Sequence, residues 1–446
     1  MRHPRWIIVV LIGVIVLISP LPGLAACRDR YLNSIASNAS DDGPGSESHP
    51  WKSLAPLNTQ AFCAGEHIYF ARGSSYHGGF VVKNSGSANH PIVFTAYGKG
   101  PAPDFTNSDF NVLQGNVIQI QGSYIVVDGF YFHDGAQSPT TKDEDVLRIA
   151  DVFVAKGADH NIIRNSEVKN SPVGFHICGQ FNLVTHNHLH DTNRYLAGAN
   201  WGPIAIILSN ANNEISYNRI TNYVSIGGKY GADGGALEFD PRIYGEPIHD
   251  VNVHHNYSYG NEGFLESTRS ATQPTGKVWI AYNVSDDYQE FILLWQGHDW
   301  RIENNTVLRL LPKNSVTDVV FTFRESGNTV WNNIFVVNQG RKVFSDNGTQ
   351  VYGMANWAGQ THYANLYFSA DGSVSDPVGV APGRGEKLAD PRFVDLAHLD
   401  LHLQSDSPAI AAGEAHDSYV DFDGTQIPVG KAPDLGAYEF RGKSNN

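Results

Sequence analysis

Cysteine, methionine and basic residues are all scarce in this chain of 446 residues, which has three Cys, two Met and 31 Lys+Arg against 45 Asp+Glu. With no C-x-x-C pair and no His/Cys cluster, nothing in the sequence points to zinc. A net charge of −14 without basic clusters argues against nucleic acid and anionic membrane surfaces as partners. Neutral substrates stay open, whereas an acidic polymer needs a local basic patch to overcome the overall sign. The Leu-, Ala- and Lys-rich periodicity of helical repeats is missing as well. In its place stand 44 Gly and many Asn, Tyr, Val and Ile.

Long apolar runs are confined to the first residues. Arg2 and Arg5 precede an apolar stretch from Trp6 to Ile18, which Pro20, Pro22 and Gly23 break before Ala25-Ala26. Residues 1–26 therefore read as an export signal. The stretch is shorter than the ~20 residues of a spanning helix, so a secreted or periplasmic protein with no membrane span after signal removal is expected. Leu24-Ala25-Ala26-Cys27 also resembles a bacterial lipoprotein signal, in which Cys27 carries lipid. The alternative is a Cys27–Cys63 disulfide formed after export, with Cys178 left as a structural thiol.

From about 115 to 370 a short motif recurs: an aliphatic or His residue, two variable positions and an Asn. It runs Ile162-x-x-Asn165, Val184-x-x-Asn187, Ile215-x-x-Asn218, Val253-x-x-Asn256, Ile280-x-x-Asn283, Ile302-x-x-Asn305, Val330-x-x-Asn333 and His362-x-x-Asn365. A fixed motif at a variable period means constant strands and loops of changing length, which suits a parallel β-helix. The Asn is assigned to a tight turn, where it tolerates left-handed backbone and stacks into an amide ladder. The reading is an all-β chain: one domain, a right-handed parallel β-helix. Residues 27–110 supply the N-terminal cap and first coils, with a short helix in WKSLAPLN. Residues 111–370 form the grooved helix, and 371–446 the last coil and a C-terminal cover. In that last part DFDG could hold calcium by its acids, but it lacks EF-hand spacing and reads as a turn.

The ladder sets a register. Ile177, Leu208, Trp295 and Phe323 lie ten residues ahead of their Asn and are assigned inward, with Phe239 and Ser267 aligned to them by apolar pattern. The outward column before them reads His176, Ile207, Glu238, Glu266, Leu294, Thr322; the one after reads Cys178, Ser209, Asp240, Thr268, Gln296, Arg324. Acids in mid-strand are unusual. The register sets Glu238 beside Glu266 at about the 4.8 Å strand spacing, with Asp240 two residues along. Like charges that close disfavour joint ionisation, and one ionised plus one protonated carboxylate is what glycoside hydrolysis requires. Glu238 with Glu266 fits a retaining separation, and Asp240 with Glu266 an inverting one. Arg269, Arg324, His298, His176, Tyr244 and Gln296 are the expected substrate-binding residues. Among Tyr244, Trp295 and Trp300 a stacking platform is sought, with Trp295 assigned to the core. Asp233 is read as part of an Asp-Gly-Gly turn delivering the first acidic strand.

The Ser-, Asp- and Gly-rich loop before Pro-Trp-Lys-Ser-Leu resembles the opening of exported right-handed parallel β-helix proteins. DP-x-F-V-D, SPAI-x-AG and PD-x-GAYE-F resemble their closing segment. Such pectate-lyase-like proteins are mostly carbohydrate-active. The two acidic strands, each upstream of an I-x-x-N-type turn, resemble the β-helix xylosidases, which implies Glu238 as nucleophile and Glu266 as acid/base. The polygalacturonase pattern of N-x-D, DD, GHG and RIK is absent. The leading expectation is a monomeric, cofactor-free glycosidase acting on a polysaccharide or oligosaccharide. The first alternative is a lyase or epimerase on a uronic-acid polymer, with Ca²⁺ held by Glu238, Asp240 and Glu266. The second is a non-catalytic glycan-binding surface protein, in which no two acids come within catalytic range.

Overall fold

A computed structural model describes residues 27–137, 148–192, 194, 202–224, 234–243, 246–268, 275–312, 319–345, 359–415, 420–427 and 430–442. Within these the chain winds as a parallel β-helix. Each coil contributes one short strand to each of three sheets, which have thirteen, twelve and nine described strands. The first sheet runs from Arg30–Leu32 and His67–Ala71 to Thr361–Tyr363, the second from Ser75–His77 to Lys387–Leu388, and the third from Phe80–Val82 to Phe321–Phe323. The coils begin at residue 67, and their first end is covered by the strand Arg30–Leu32 and by a 3₁₀ turn, Ala55–Asn58. That turn is shorter than the helix expected of WKSLAPLN; Pro56 stands at its start, and Leu54 and Leu57 enter the core. Cys27 and Cys63 form a disulfide with Cα atoms 5.6 Å apart, which leaves Cys27 no thiol for lipid. Cys178 is a buried free thiol.

The core is a set of stacked rows along the axis. Ile163, Val184, Ile215, Val253, Ile280, Ile302 and Val330 occupy one row, all at most 1% exposed. Burying each such side chain contributes about 1.5–3 kcal/mol. Beside this row lies the amide ladder. Asn187, Asn218, Asn256, Asn283, Asn305 and Asn333 each donate from the backbone N–H and from Nδ2 to the Oδ1 of the next coil's Asn, ending on Asn365. Glu386 closes the ladder by accepting from Asn365 Nδ2 and Tyr367 Oη.

Two details of the expected ladder change. The left-handed residue is the one before each Asn, as at His186, Tyr217, His255, Tyr282, Asn304 and Asn332. Asn165 takes this corner position, with φ +53°, so Ser166 holds the ladder place of its coil and donates to Asn187. The motif there is Ile163-x-x-Ser166, one residue later than the Asn suggested.

The C-terminal part first adds the last strand of the second sheet, Lys387–Leu388, then turns back along the side of the coils. A hairpin of Phe393–Asp395 and Asp400–Leu403 places Phe393, Leu401 and Leu403 against Val284, Leu308, Val336 and Leu366. DFDG is a turn: Asp421 Oδ1 accepts from the backbone N–H of Asp423 and Thr425.

Candidate active site

The outer face of the third sheet carries the acids because strand alternation leaves them no inward place. Leu237 and Phe239 enter the core, so Glu238 between them points out; Leu265 and Ser267 do the same for Glu266. The outward column reads Val81, Gln119, Phe153, His176, Ile207, Glu238, Glu266, Leu293, Thr322. Glu238 and Glu266 are direct partners on adjacent rungs. Glu238 is 7% exposed and Glu266 half-buried. Three residues ahead of each acid, on the same coil, the chain is pared to backbone at Gly235 and Gly263. Gly235 has φ +135°, and a Cβ there would lie 2.5 Å from Gly263 O.

One coil departs from the expected register. Leu293, not Leu294, follows Glu266 in the outward column, while Leu294 is in the core and pairs with Ser267. Trp295, not Gln296, takes the next column, its backbone N–H bonded to Ser267 O. The cause is a two-residue strand, Gly297–His298, that pairs with Thr275 and Gly276 and lengthens this coil by a residue. A one-residue slip exchanges inside for outside. Trp295 is therefore half-buried at the site, and its Nε1 donates to Glu266 Oε1 at 2.9 Å. Trp300 is the core tryptophan, 0% exposed and 5.7 Å from the ring of Phe239.

Asp240 is 1% exposed and engaged by a residue that the sequence reading passed over. Arg242, in the 3₁₀ turn Pro241–Ile243, donates to Asp240 Oδ1 from its backbone N–H at 2.9 Å and from Nε at 2.8 Å, and to Oδ2 from Nη2 at 2.7 Å. The same Nη2 lies 3.6 Å from Glu238 Oε1. Burial alone would lower the guanidinium's pKa, but the bond to Asp240 and the charges of Asp240, Glu238 and Glu266 raise it. The readable signal was Asp-Pro-Arg, where Pro starts a turn and Asp accepts from the residue two ahead. Thr268 Oγ1 completes the set, 3.4 Å from Asp240 Oδ1.

The expected binding residues divide. Arg324 follows Trp295 in its column, with its N–H on Leu294 O, and is half-buried. His176 shares the column of the acids but is 0% exposed beneath an apolar cover that includes Ile149, Val173 and Ile207. Its Nε2 meets Ser209 Oγ at 2.9 Å, and burial pushes the imidazole down to about 4. His176 is thus structural here rather than exposed to a ligand. Gln296 leaves the outward face, and its carbonyl accepts from Thr275. His298 sits at the bend into the first sheet and pairs with Asp299. Tyr244, Arg269 and Asp233 lie outside the described residues, as does the expected export signal. A further acid unmarked by the repeat, Glu290, is 3% exposed and accepts from Thr322 Oγ1 of the site column at 3.1 Å.

The calcium arrangement does not fit these residues. Both oxygens of Asp240 are taken by a guanidinium that also flanks Glu238, so the oxygens that Asp240 would offer calcium are already engaged. Among the described residues no group of three or more His, Cys, Asp or Glu side chains could hold a metal.

No family model and no curated protein matches the chain. Solved structures match it as a fold. A rhamnogalacturonan lyase is 15% identical with a TM-score of 0.57, over 90% of this chain and 95% of its own. XylC, in a complex with xylose, is 13% identical with a TM-score of 0.56, over 94% and 99%. The pectate lyase Pel9A is 17% identical with a TM-score of 0.51, over 94% and 98%. The chain is a parallel β-helix. At these identities the likeness speaks for architecture, and the chemistry must be argued from the site.

Proposed function

We propose that this protein is a carbohydrate-active enzyme of the glycoside hydrolase type, exported from the cytoplasm, with Glu238 as nucleophile and Glu266 as acid/base. The observation that carries the reading is the pairing of Glu238 with Glu266 on adjacent outward rungs, each with a different neighbour. Glu238 lies beside the Arg242 guanidinium, which favours its ionised form. Glu266, half-buried where Glu238 is buried, is the member placed to carry a proton to a leaving oxygen. Adjacent rungs stand about 4.8 Å apart, close to the short carboxylate separation of retaining enzymes. The neighbouring folds include lyases as well as XylC, so a uronate lyase is the competing reading. It is disfavoured because Arg242 already engages both oxygens of Asp240, one of the three acids that calcium would need.

The test is a screen of defined oligosaccharides with the wild type, Glu238→Gln and Glu266→Gln. New reducing ends without the ultraviolet absorbance of an unsaturated uronate are expected, and each variant should lose at least about 100-fold in kcat. The first-formed anomer, followed by NMR, should keep the substrate's configuration. Full activity in both variants would remove the assignment.

A further inference from the structure

Arg242 has a second edge that the acids do not use. Nε and Nη2 are committed to Asp240, and Nη2 also faces Glu238. Among the described residues no hydrogen-bond acceptor meets Nη1, and the side chain is 43% exposed. A guanidinium is planar and rigid, so fixing two of its nitrogens fixes the direction of the third. Asp240, itself 1% exposed and touched by Thr268, is the anchor. The outcome is a pair of N–H donors held in advance beside Glu238, over the stretch of groove that Gly235 and Gly263 leave without side chains.

We propose that Arg242 is a substrate-binding residue whose Nη1 edge donates to a hydroxyl or ring oxygen of a neutral sugar unit lying against Glu238. This rests on the glycosidase reading of the Glu238–Glu266 pair. The neutral class follows from the local charge. Glu238 and Asp240 flank one guanidinium, the charge of Glu266 also acts on it, and Asp240 already matches its charge in a bidentate pair. A uronate there would bring a fourth carboxylate to a face where, among the described residues, the next cation in the neighbouring column, Arg324, stands two rungs beyond Thr268. A sugar hydroxyl needs only a fixed donor, and a donor already ordered costs little entropy to use.

The test uses the full chain carrying Glu238→Gln, so that bound sugar is not turned over. It is titrated calorimetrically with a panel of neutral and uronate oligosaccharides. A neutral oligosaccharide should bind, and Arg242→Lys in the same background should weaken it by about 10- to 100-fold. Added guanidinium ion should restore part of the binding lost in Arg242→Ala. Thermal melts of both variants separate lost binding from lost fold, Arg242→Lys being the variant that keeps a cation for Asp240. Unchanged affinity in Arg242→Lys, or tighter binding of a uronate than of any neutral oligosaccharide, overturns the proposal. The two readings fail differently. Activity retained by Glu238→Gln defeats the glycosidase reading, whereas an inactive Glu238→Gln that binds sugar without regard to Arg242 defeats only this one.

Discussion

Glu266 takes its hydrogen bond from an indole, and this contact is open to a clean test. Trp295→Phe keeps most of the ring while removing the Nε1 donor at 2.9 Å from Glu266 Oε1. Hydrogen bonds to charged groups contribute about 1.5–3 kcal/mol. The variant should therefore lose roughly 10- to 100-fold in kcat/KM, with the pH dependence of activity displaced, because the donor acts on the acid that titrates. A pH–rate profile of wild type and variant checks both. At this scale the sequence showed the acids themselves, since charged residues in mid-strand stand out. It hid Trp295, whose side depends on a one-residue slip, and Arg242, whose partner Asp240 lies in a turn with no repeat to align it.

An element of this fold is a rung, and its cohesion comes from partners in the next coil rather than from its own three to seven residues. Asn283 shows the consequence. It donates to Asn305 Oδ1 from N at 2.9 Å and Nδ2 at 2.9 Å, and to Val253 O at 3.0 Å, while accepting two bonds from Asn256. Asn283→Leu leaves the backbone N–H of Asn256 buried and unmet, at about 1–3 kcal/mol, while Asn256 Nδ2 keeps the carbonyls of Ile215 and His254. The urea midpoint should fall markedly. At Gly235 any Cβ meets the backbone of Gly263. Gly235→Ala should force the Glu238 and Glu266 rungs apart and lower activity more than it lowers the melting temperature.

Across the whole molecule, buried acids set a pH dependence. Burial raises Asp151 and Glu439 to about 7, with the Asp434 charge adding to the effect at Glu439. His133 and His402 are raised as well: burial opposes this, but their bonds and charge pairs with Asp104, Asp134, Asp400 and Asp423 prevail. In all four the folded state keeps a proton that the unfolded chain has released, so stability falls as pH rises through the folded pKa values. The buried His176 and His255, lowered to about 4, oppose this only below the unfolded pKa of ~6.5. The urea midpoint should therefore decline from pH 6 to pH 8, and Glu439→Gln, at the edge of the C-terminal segment, should flatten the decline. Reduction of Cys27–Cys63, which closes a loop of sequence separation 36, should cost about 3–4 kcal/mol.

The sequence by itself determined the coil, because an apolar-x-x-Asn motif at intervals of 31, 38, 27, 22, 28 and 32 residues admits stacked strands with loops of any length between them. It also placed Glu238 opposite Glu266, since apolar neighbours on both sides of each acid leave one facing choice. Tertiary structure decided whatever depends on counting residues across a bend or on what lies over a face. The added strand at Gly297–His298 exchanged Trp295 with Leu294. The cover around Ile207 closed His176 away from solvent, and the fold back along the coils set the C-terminal segment on their side. Strand alternation is local and can be read along the chain. The length of a bend and the burial of an outer face arise from contacts between coils, which no single repeat contains.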